Sequence, residues 1–324
     1  MILDECIKII KNGKDIDFDH AYRLATTTPA DQLYEAADHI RKYIHKETFD
    51  LCSIINAKSG KCSEDCRFCA QSSHYDVDIQ TYDIIEIDEA VEQGKEADDN
   101  KVERISLVTA GRSASLEDLN EYGAIYKKLS ETTDLRYCAS MGMLTREKAR
   151  LLKSYGVERY HCNLEACKNY FPKICSTHTW EEKVETIKIA KEEGLEVCSG
   201  GIFGMGETLQ HRLELAFELR ELEIYSIPIN ILTPISNTPF ESYTPLSLSD
   251  VLISIAVFRF INPNAIVRLA GGRNQLGEDQ FNSFQSGANG AIVGNYLTTA
   301  GNNLQDDLKA IKKLGYRFIR EKDE

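Results

Sequence analysis

The chain has 324 residues, 42% of them hydrophobic, which is enough for one large core or two modest ones. Its 51 acidic and 38 basic residues leave a net charge of −13 with no basic cluster, which argues against nucleic-acid binding. No apolar run approaches the ~18 residues of a membrane helix, the N-terminus is charged too early for a secretory signal, and 10 cysteines in a chain of this length fit a cytosolic metal protein better than a disulfide scaffold.

Residues 1–46 read as helical, with a short amphipathic stretch from Asp4 to Gly13 and a longer helix opened by Thr28-Pro29 and running toward Tyr43. From residue 48 onward, short β-branched or apolar runs alternate with amphipathic stretches. Strands are predicted near 50–57, 103–109, 135–139, 158–163, 195–201, 226–233, 265–269 and 290–294. Helices are predicted over 88–99, 115–129, 145–154, 180–193, 208–222, 247–260 and 276–286, with a last one at 304–313. Eight strands separated by seven helices is the count of an α/β fold of the (β/α)8 TIM type. A doubly wound open sheet is the alternative, and the even spacing favours closure. The expected organisation is an N-terminal helical extension over residues 1–46 and a barrel with a C-terminal helix over residues 47–324. In such a barrel the chemistry sits at the C-terminal ends of the strands.

The loop after the first strand holds Cys62, Cys66 and Cys69, spaced C-x3-C-x2-C, with Phe68 before the last cysteine. Three thiolates hold three corners of a four-iron cluster and leave the fourth iron open to a ligand, where four cysteines would close it. Zinc prefers paired C-x2-C units or cysteine with histidine at set spacings, and only one such pair, Cys66 and Cys69, is present. The loop is similar to that of the radical S-adenosylmethionine (SAM) enzymes.

The later strand ends carry further polar groups. Ser106 lies on the second strand, Cys138 on the third, Cys162, Asn163 and Glu165 after the fourth, and Cys198 on the fifth. Asn230 ends the sixth, Arg268 lies in the seventh, and Thr298 and Thr299 follow the eighth. A lone cysteine is most often a small buried hydrophobe. Arginine inside a barrel strand needs an anionic or electron-rich partner. Convergent thiols around Arg268 therefore read as a second metal–sulfur site. The run Gly200 to Glu207 fits G-x-I-x-G-x-x-E, where glycines let backbone approach a flat ligand. Nicotinamide binding is discounted because Leu209 stands where a dinucleotide fingerprint needs its third glycine. His161 and His178 are read as structural hydrogen-bonding residues, with no acid–base role.

From residue 48 the chain resembles the biotin synthase family. The matching runs are Cys62-x3-Cys66-x2-Cys69-x-Gln71-Ser72, Tyr160-His161-x-Asn163-Leu164-Glu165, Val197 to Ile202, Gly204 to Thr208, Pro228-Ile229-Asn230, Val267-Arg268-Leu269 and Leu297-Thr298-Thr299. The resemblance implies sulfur insertion into dethiobiotin to form biotin. A [4Fe-4S] cluster with SAM at its open iron would generate the radical, and a second cluster would donate the sulfur. It implies that Asn163 and Glu165 hold the SAM ribose and the substrate, and that Phe68 and Ile202 flank adenine. Asn230 would bind the ureido ring of dethiobiotin, Thr298 and Thr299 its carboxylate. Cys138, Cys198 and Arg268 match ligands of the sulfur-donating cluster. The family's third cysteine there is replaced by Ser106, while Cys162 stands where the family usually has histidine. The expectation is an auxiliary cluster on Cys138, Cys162 and Cys198 near Arg268, of [2Fe-2S] or four-iron type. Its alternative is that Cys162 is a core substitution and the auxiliary cluster is weakened or absent. Cys167 and Cys175 are second-choice ligands. A flavodoxin- or ferredoxin-type electron donor and a homodimer follow from the resemblance; a cytoplasmic location follows from the cysteine usage and the reducing cell interior.

Two other readings compete. One is a related radical SAM enzyme acting on a small amino acid. The other is an iron–sulfur electron carrier without substrate, which has no need of Asn230 or the threonine pair.

Overall fold

The computed structural model describes residues 2–294, 297 and 302–320. Three helices open the chain: α1 (Ile2–Lys11), α2 (Phe18–Thr27) and α3 (Ala30–His45). The second was not singled out from the sequence. Asp17 starts it by accepting the His20 N–H at 2.9 Å. Thr28, extended ahead of Pro29, ends it.

The chain then runs β1 (Thr48–Lys58), α4 (Ile87–Asp99), β2 (Arg104–Thr109), α5 (Leu116–Thr132), β3 (Arg136–Ser140), α6 (Arg146–Ser154) and β4 (Val157–His161). After α7 (Trp180–Glu192) come β5 (Glu196–Cys198), β6 (Gly201–Phe203), α8 (Leu209–Glu221), β7 (Ser226–Ile231), α9 (Leu248–Ile261), β8 (Ile266–Leu269) and β9 (Gly290–Ile292). Last are α10 (Leu304–Lys313) and β10 (Arg317–Phe318), which pairs with the start of β1.

All the strand pairings are parallel, in the order β5-β4-β3-β2-β1-β9-β8-β7-β6. The two ends of that path, β5 and β6, are consecutive pieces of one run. Ser199 donates to the Ser226 carbonyl at 3.0 Å, and Glu165 to the Gly200 carbonyl at 3.1 Å. The run is thus bonded to β4 on one side and β7 on the other, and the expected eight-stave barrel closes. The predicted single fifth strand is interrupted where it meets β7. Pro228 in β7 has no N–H to offer its neighbour, and its carbonyl lies so close that a Cβ on Gly200 would sit 1.8 Å away.

Helix α9 is buried nearly all round because α2 and α3 cover its outer face. Its Arg259 is fully buried and donates to the carbonyls of Gly287 (2.8 Å) and Ala265 (2.7 Å). The helix predicted over 276–286 is instead a 3-10 run, Arg273–Gln285, kinked at Gly277 with φ +54°. At the N-terminal end of the barrel, Arg104 pairs with Glu158 (3.3 Å) and Glu196 (3.2 Å). Arg159 also reaches Glu196 (2.8 Å), and Arg136 reaches Glu103 (3.4 Å). These pairs form a charged floor. No helix among the described residues is long and apolar enough to cross a membrane.

Candidate functional site

The opposite end of the barrel opens into a cavity of about 430 Å³. Its wall includes Cys62, Cys66, Cys69 and Phe68 from the loop after β1, and Cys138, Cys162, Cys198 and Arg268 from the strands. Asn163, Glu165, Ile202 and Asn230 line it as well. The sequence-predicted site residues thus converge on one space, apart from Thr298 and Thr299, which lie outside the described residues.

The cysteine loop is shaped by its own backbone. Gly60 and Lys61 take φ of +78° and +54°, turning the chain out of β1. Cys62 donates to the Gln71 carbonyl at 3.0 Å and accepts from Ser73 N–H at 2.8 Å, while Cys69 donates to the Cys66 carbonyl at 3.0 Å. This winding leaves three partly exposed free thiols on one cavity wall. That donor set suits a thiophilic metal cluster with one position left open.

A second network, absent from the sequence reading, braces this loop against residues 174–178. Arg67 donates to the Ile174 carbonyl at 3.0 Å, and Asp65 accepts the backbone N–H groups of Ser176 (2.8 Å) and Thr177 (3.1 Å). His178 Nδ1 lies 2.5 Å from Glu64 Oε2, which also receives Arg112 at 3.2 Å. Burial opposes charge on His178, but Cys175 and Glu64 outweigh it and raise its pKa. Burial likewise works against the Glu64 carboxylate, and the His178 and Thr177 hydrogen bonds more than offset it, lowering its pKa. Cys175 Sγ lies 3.8 Å from Cys66 Sγ and 3.3 Å from His178 Nδ1, so these three ligand atoms form a compact soft-donor group. The contacts between the loop of residues 64–67 and residues 174–178 join positions more than a hundred apart in sequence, and no local pattern announces them.

Asn163 accepts the Gly200 N–H at 2.9 Å and donates to Glu165 at 3.3 Å. Glu165 has φ +68°, which lets its backbone bridge to Gly201 while its side chain stays on the cavity wall. Asn230 donates to the Gly201 carbonyl at 3.1 Å and accepts from Gly271 N–H at 2.9 Å. Each carboxamide retains one N–H and one lone pair for a ligand. Phe68 and Ile202 are partly buried apolar groups on the same wall. Glu207 closes the turn after β6, accepting from Gly204 and Met205 N–H groups at 2.9 and 2.7 Å.

Deeper in the barrel, Arg268 donates to Ser226 Oγ at 2.9 Å, approaches Cys198 Sγ at 3.9 Å and pairs with Asp50. Burial opposes its charge, but Asp50, Cys52 and Cys198 outweigh burial and raise its pKa. Its Nε has no partner. A buried guanidinium with an unpartnered N–H, close to the Cys198 thiol, fits an anionic, sulfur-rich group. Burial pushes the Cys138 thiol up to about 11. At Cys198, burial is outweighed by His161, Arg268 and Arg159, which pull the thiol down to about 6.

Cys162 lines the same cavity as Cys138 and Cys198, but its surroundings differ from theirs. It follows the cavity-lining His161 on an alternating strand, is packed in the hydrophobic core, and has Lys183 and Glu165 as its charged neighbours. Cys52, which the sequence reading treated only as part of a buried strand, lines the cavity.

Residues 56–219 match the radical SAM superfamily model, and residues 228–317 match that of the biotin and thiamin synthesis associated domain. The chain is 50% identical over 319 residues to biotin synthase of Desulfotalea psychrophila, covering 97% of this chain and 95% of that one. It is 47% identical over 321 residues to biotin synthase of Brachyspira hyodysenteriae, covering 99% and 96%. Among solved structures it is similar to methylornithine synthase, with a TM-score of 0.83 at 16% identity over 98% of this chain and 97% of that one. The FeFe-hydrogenase maturase HydG of Carboxydothermus hydrogenoformans aligns with a TM-score of 0.82 at 15% identity, over 98% and 79%. At such identities these two share the fold alone.

Proposed function

This chain belongs to the biotin synthase family of radical SAM enzymes, and on that premise we propose that its cavity is divided into an upper radical-forming part and a lower sulfur-donating part. Its activity is that of the family: SAM-dependent insertion of sulfur into dethiobiotin to give biotin, with SAM and a [4Fe-4S] cluster. When bound, the cluster and SAM supply the one-electron chemistry that removes hydrogen from unactivated carbon.

The residues divide the remaining work. Cys62, Cys66 and Cys69 would hold the cluster on three irons and leave the fourth to the amino and carboxylate groups of SAM. Phe68 and Ile202 would sandwich adenine, while Asn163 and Glu165 hold the ribose. Asn230 would meet the ureido ring with its remaining donor and acceptor, and Thr298 with Thr299 the carboxylate. Cys138, Cys198 and Arg268 would carry the auxiliary cluster, and its depth keeps solvent away from the carbon radical. The observation that carries this reading is that the loop thiols and the strand thiols open on one cavity, with the carboxamides of Asn163 and Asn230 on its wall.

We further read residues 1–46 as a helical extension covering α9, and the protein as a homodimer fed electrons by a flavodoxin- or ferredoxin-type donor. All ten cysteines are free thiols, which supports a reducing, cytoplasmic setting.

The test is anaerobic reconstitution with iron and sulfide, followed by incubation with SAM, a low-potential reductant and dethiobiotin. Biotin and 5′-deoxyadenosine are the expected products. Formation of 5′-deoxyadenosine with no biotin under any reconstitution would overturn the substrate assignment, and failure to form either would overturn the cofactor assignment.

A further inference from the structure

The strand registers define rings of inward-facing side chains. Cys52 on β1 lies opposite Arg104 on β2, and Arg104 opposite Arg136 on β3; two residues along β3, on the same face, is Cys138. Cys138 lies opposite Arg159 on β4, and Arg159 opposite Glu196 on β5; two residues along is Cys198. Cys198 touches Ser226 on β7 (3.3 Å), and Ser226 lies opposite Ile266 on β8; two residues along is Arg268. Arg268 lies opposite Gly290 on β9, and Gly290 opposite Asp50 on β1; two residues along is Cys52 again. The walk closes after eight staves with one advance of two residues per pair of strands. This is the stagger by which a barrel of this type places four side chains from alternate strands in one layer.

Cys52, Cys138, Cys198 and Arg268 are therefore one layer. All four line the cavity, and the three thiols stand outside the hydrophobic core cluster that contains Cys162. Arg268, Cys138 and Cys198 are among the charged groups that act on Cys52. The next layer up holds Ser106, opposite Cys138 and Ile54, with an unpartnered hydroxyl. A serine hydroxyl is a poor substitute for thiolate at iron.

From this layer we infer that Cys52 is the third thiolate of the auxiliary iron–sulfur site, completing with Cys138, Cys198 and Arg268 a four-donor ring inside the barrel. The inference rests on the proposed auxiliary cluster. The nearby Arg104 and Arg159 supply cations around three thiolates and their sulfides, while Asp50 holds Arg268 in the ring.

The test starts from a parent in which Cys62, Cys66 and Cys69 are all replaced by alanine, so that only auxiliary iron remains. Cys52→Ser, Cys138→Ser and Cys162→Ser are added singly, and each protein is reconstituted anaerobically. Iron, sulfide and Mössbauer spectra are read, with melting of each apoprotein by circular dichroism. Cys52→Ser and Cys138→Ser should lose most of the parent's iron and sulfide or change its spectrum, while Cys162→Ser keeps both. Should Cys52→Ser melt well below the parent, Cys52→Ala is read in its place by the same criteria. Retention of the parent's spectrum by the Cys52 variant, with loss in the Cys138 variant, overturns the ligand assignment and leaves the auxiliary site standing. A parent that takes up no iron overturns the site reading and the inference with it.

Discussion

Asn163 is tied to Gly200 by a 2.9 Å hydrogen bond in which the carboxamide oxygen accepts the glycine N–H. The side chain assigned to the SAM ribose is thus also a clamp on the interrupted stave of the barrel. Asn163→Ala should show both roles. The freed N–H costs about 1–3 kcal/mol of stability, seen as a lower melting temperature. Retention of SAM on the reconstituted protein should weaken in equilibrium binding. Unchanged melting with weakened binding would separate the two roles.

Asn230 bridges Gly201 and Gly271 across neighbouring staves. Asn230→Ala is expected to raise KM for dethiobiotin about ten-fold, the worth of one hydrogen bond in a dry site. It should also raise the ratio of 5′-deoxyadenosine to biotin, because hydrogen abstraction loses its aim. A rise in KM without that uncoupling would place Asn230 in binding alone.

Gly200 has no room for a side chain: a Cβ there would lie 1.8 Å from the Pro228 carbonyl oxygen. Gly200→Ala should destabilise by more than the roughly 1–3 kcal/mol of ordinary overpacking, since backbone has to move. Gly13→Ala is a contrast, because its Cβ meets nothing within 4 Å and only its φ of +70° resists. Thermal melting of both variants checks the order.

His45 contributes a pH dependence remote from the cavity. Burial, then the charges of Arg259 and Arg41, hold its pKa down at about 4 against an ordinary 6.5. The unfolded chain therefore takes up a proton below pH 6.5 that the folded chain refuses. Stability is present in full above that pH and declines as the pH falls toward 4, where the loss levels off. The total is at most about 3 kcal/mol. Urea unfolding between pH 7 and 4 should show the decline, and His45→Gln should flatten it.

The alternation of strand and helix patterns was enough to read the barrel, because each βα unit carries its own local periodicity. The fifth strand was read as continuous, since its break depends on Pro228 in a different stave. The cysteine loop was legible for the same local reason: its three ligands lie within eight residues. The auxiliary site was only half legible. Cys138, Cys198 and Arg268 stand on barrel strands, but which thiol joins them depends on barrel stagger; a cysteine at the family's usual histidine position favoured Cys162 where stagger favours Cys52. The brace from Glu64 and Asp65 to residues 175–178 was invisible, as it arises only when two loops meet above the barrel.

The ion-paired floor formed by Arg104, Arg136 and Arg159 makes the interior a dead-end shaft. Anything consumed at its bottom has to be restocked through the same doorway that admits substrate. On the proposed reading, replenishment and synthesis then share a single passage.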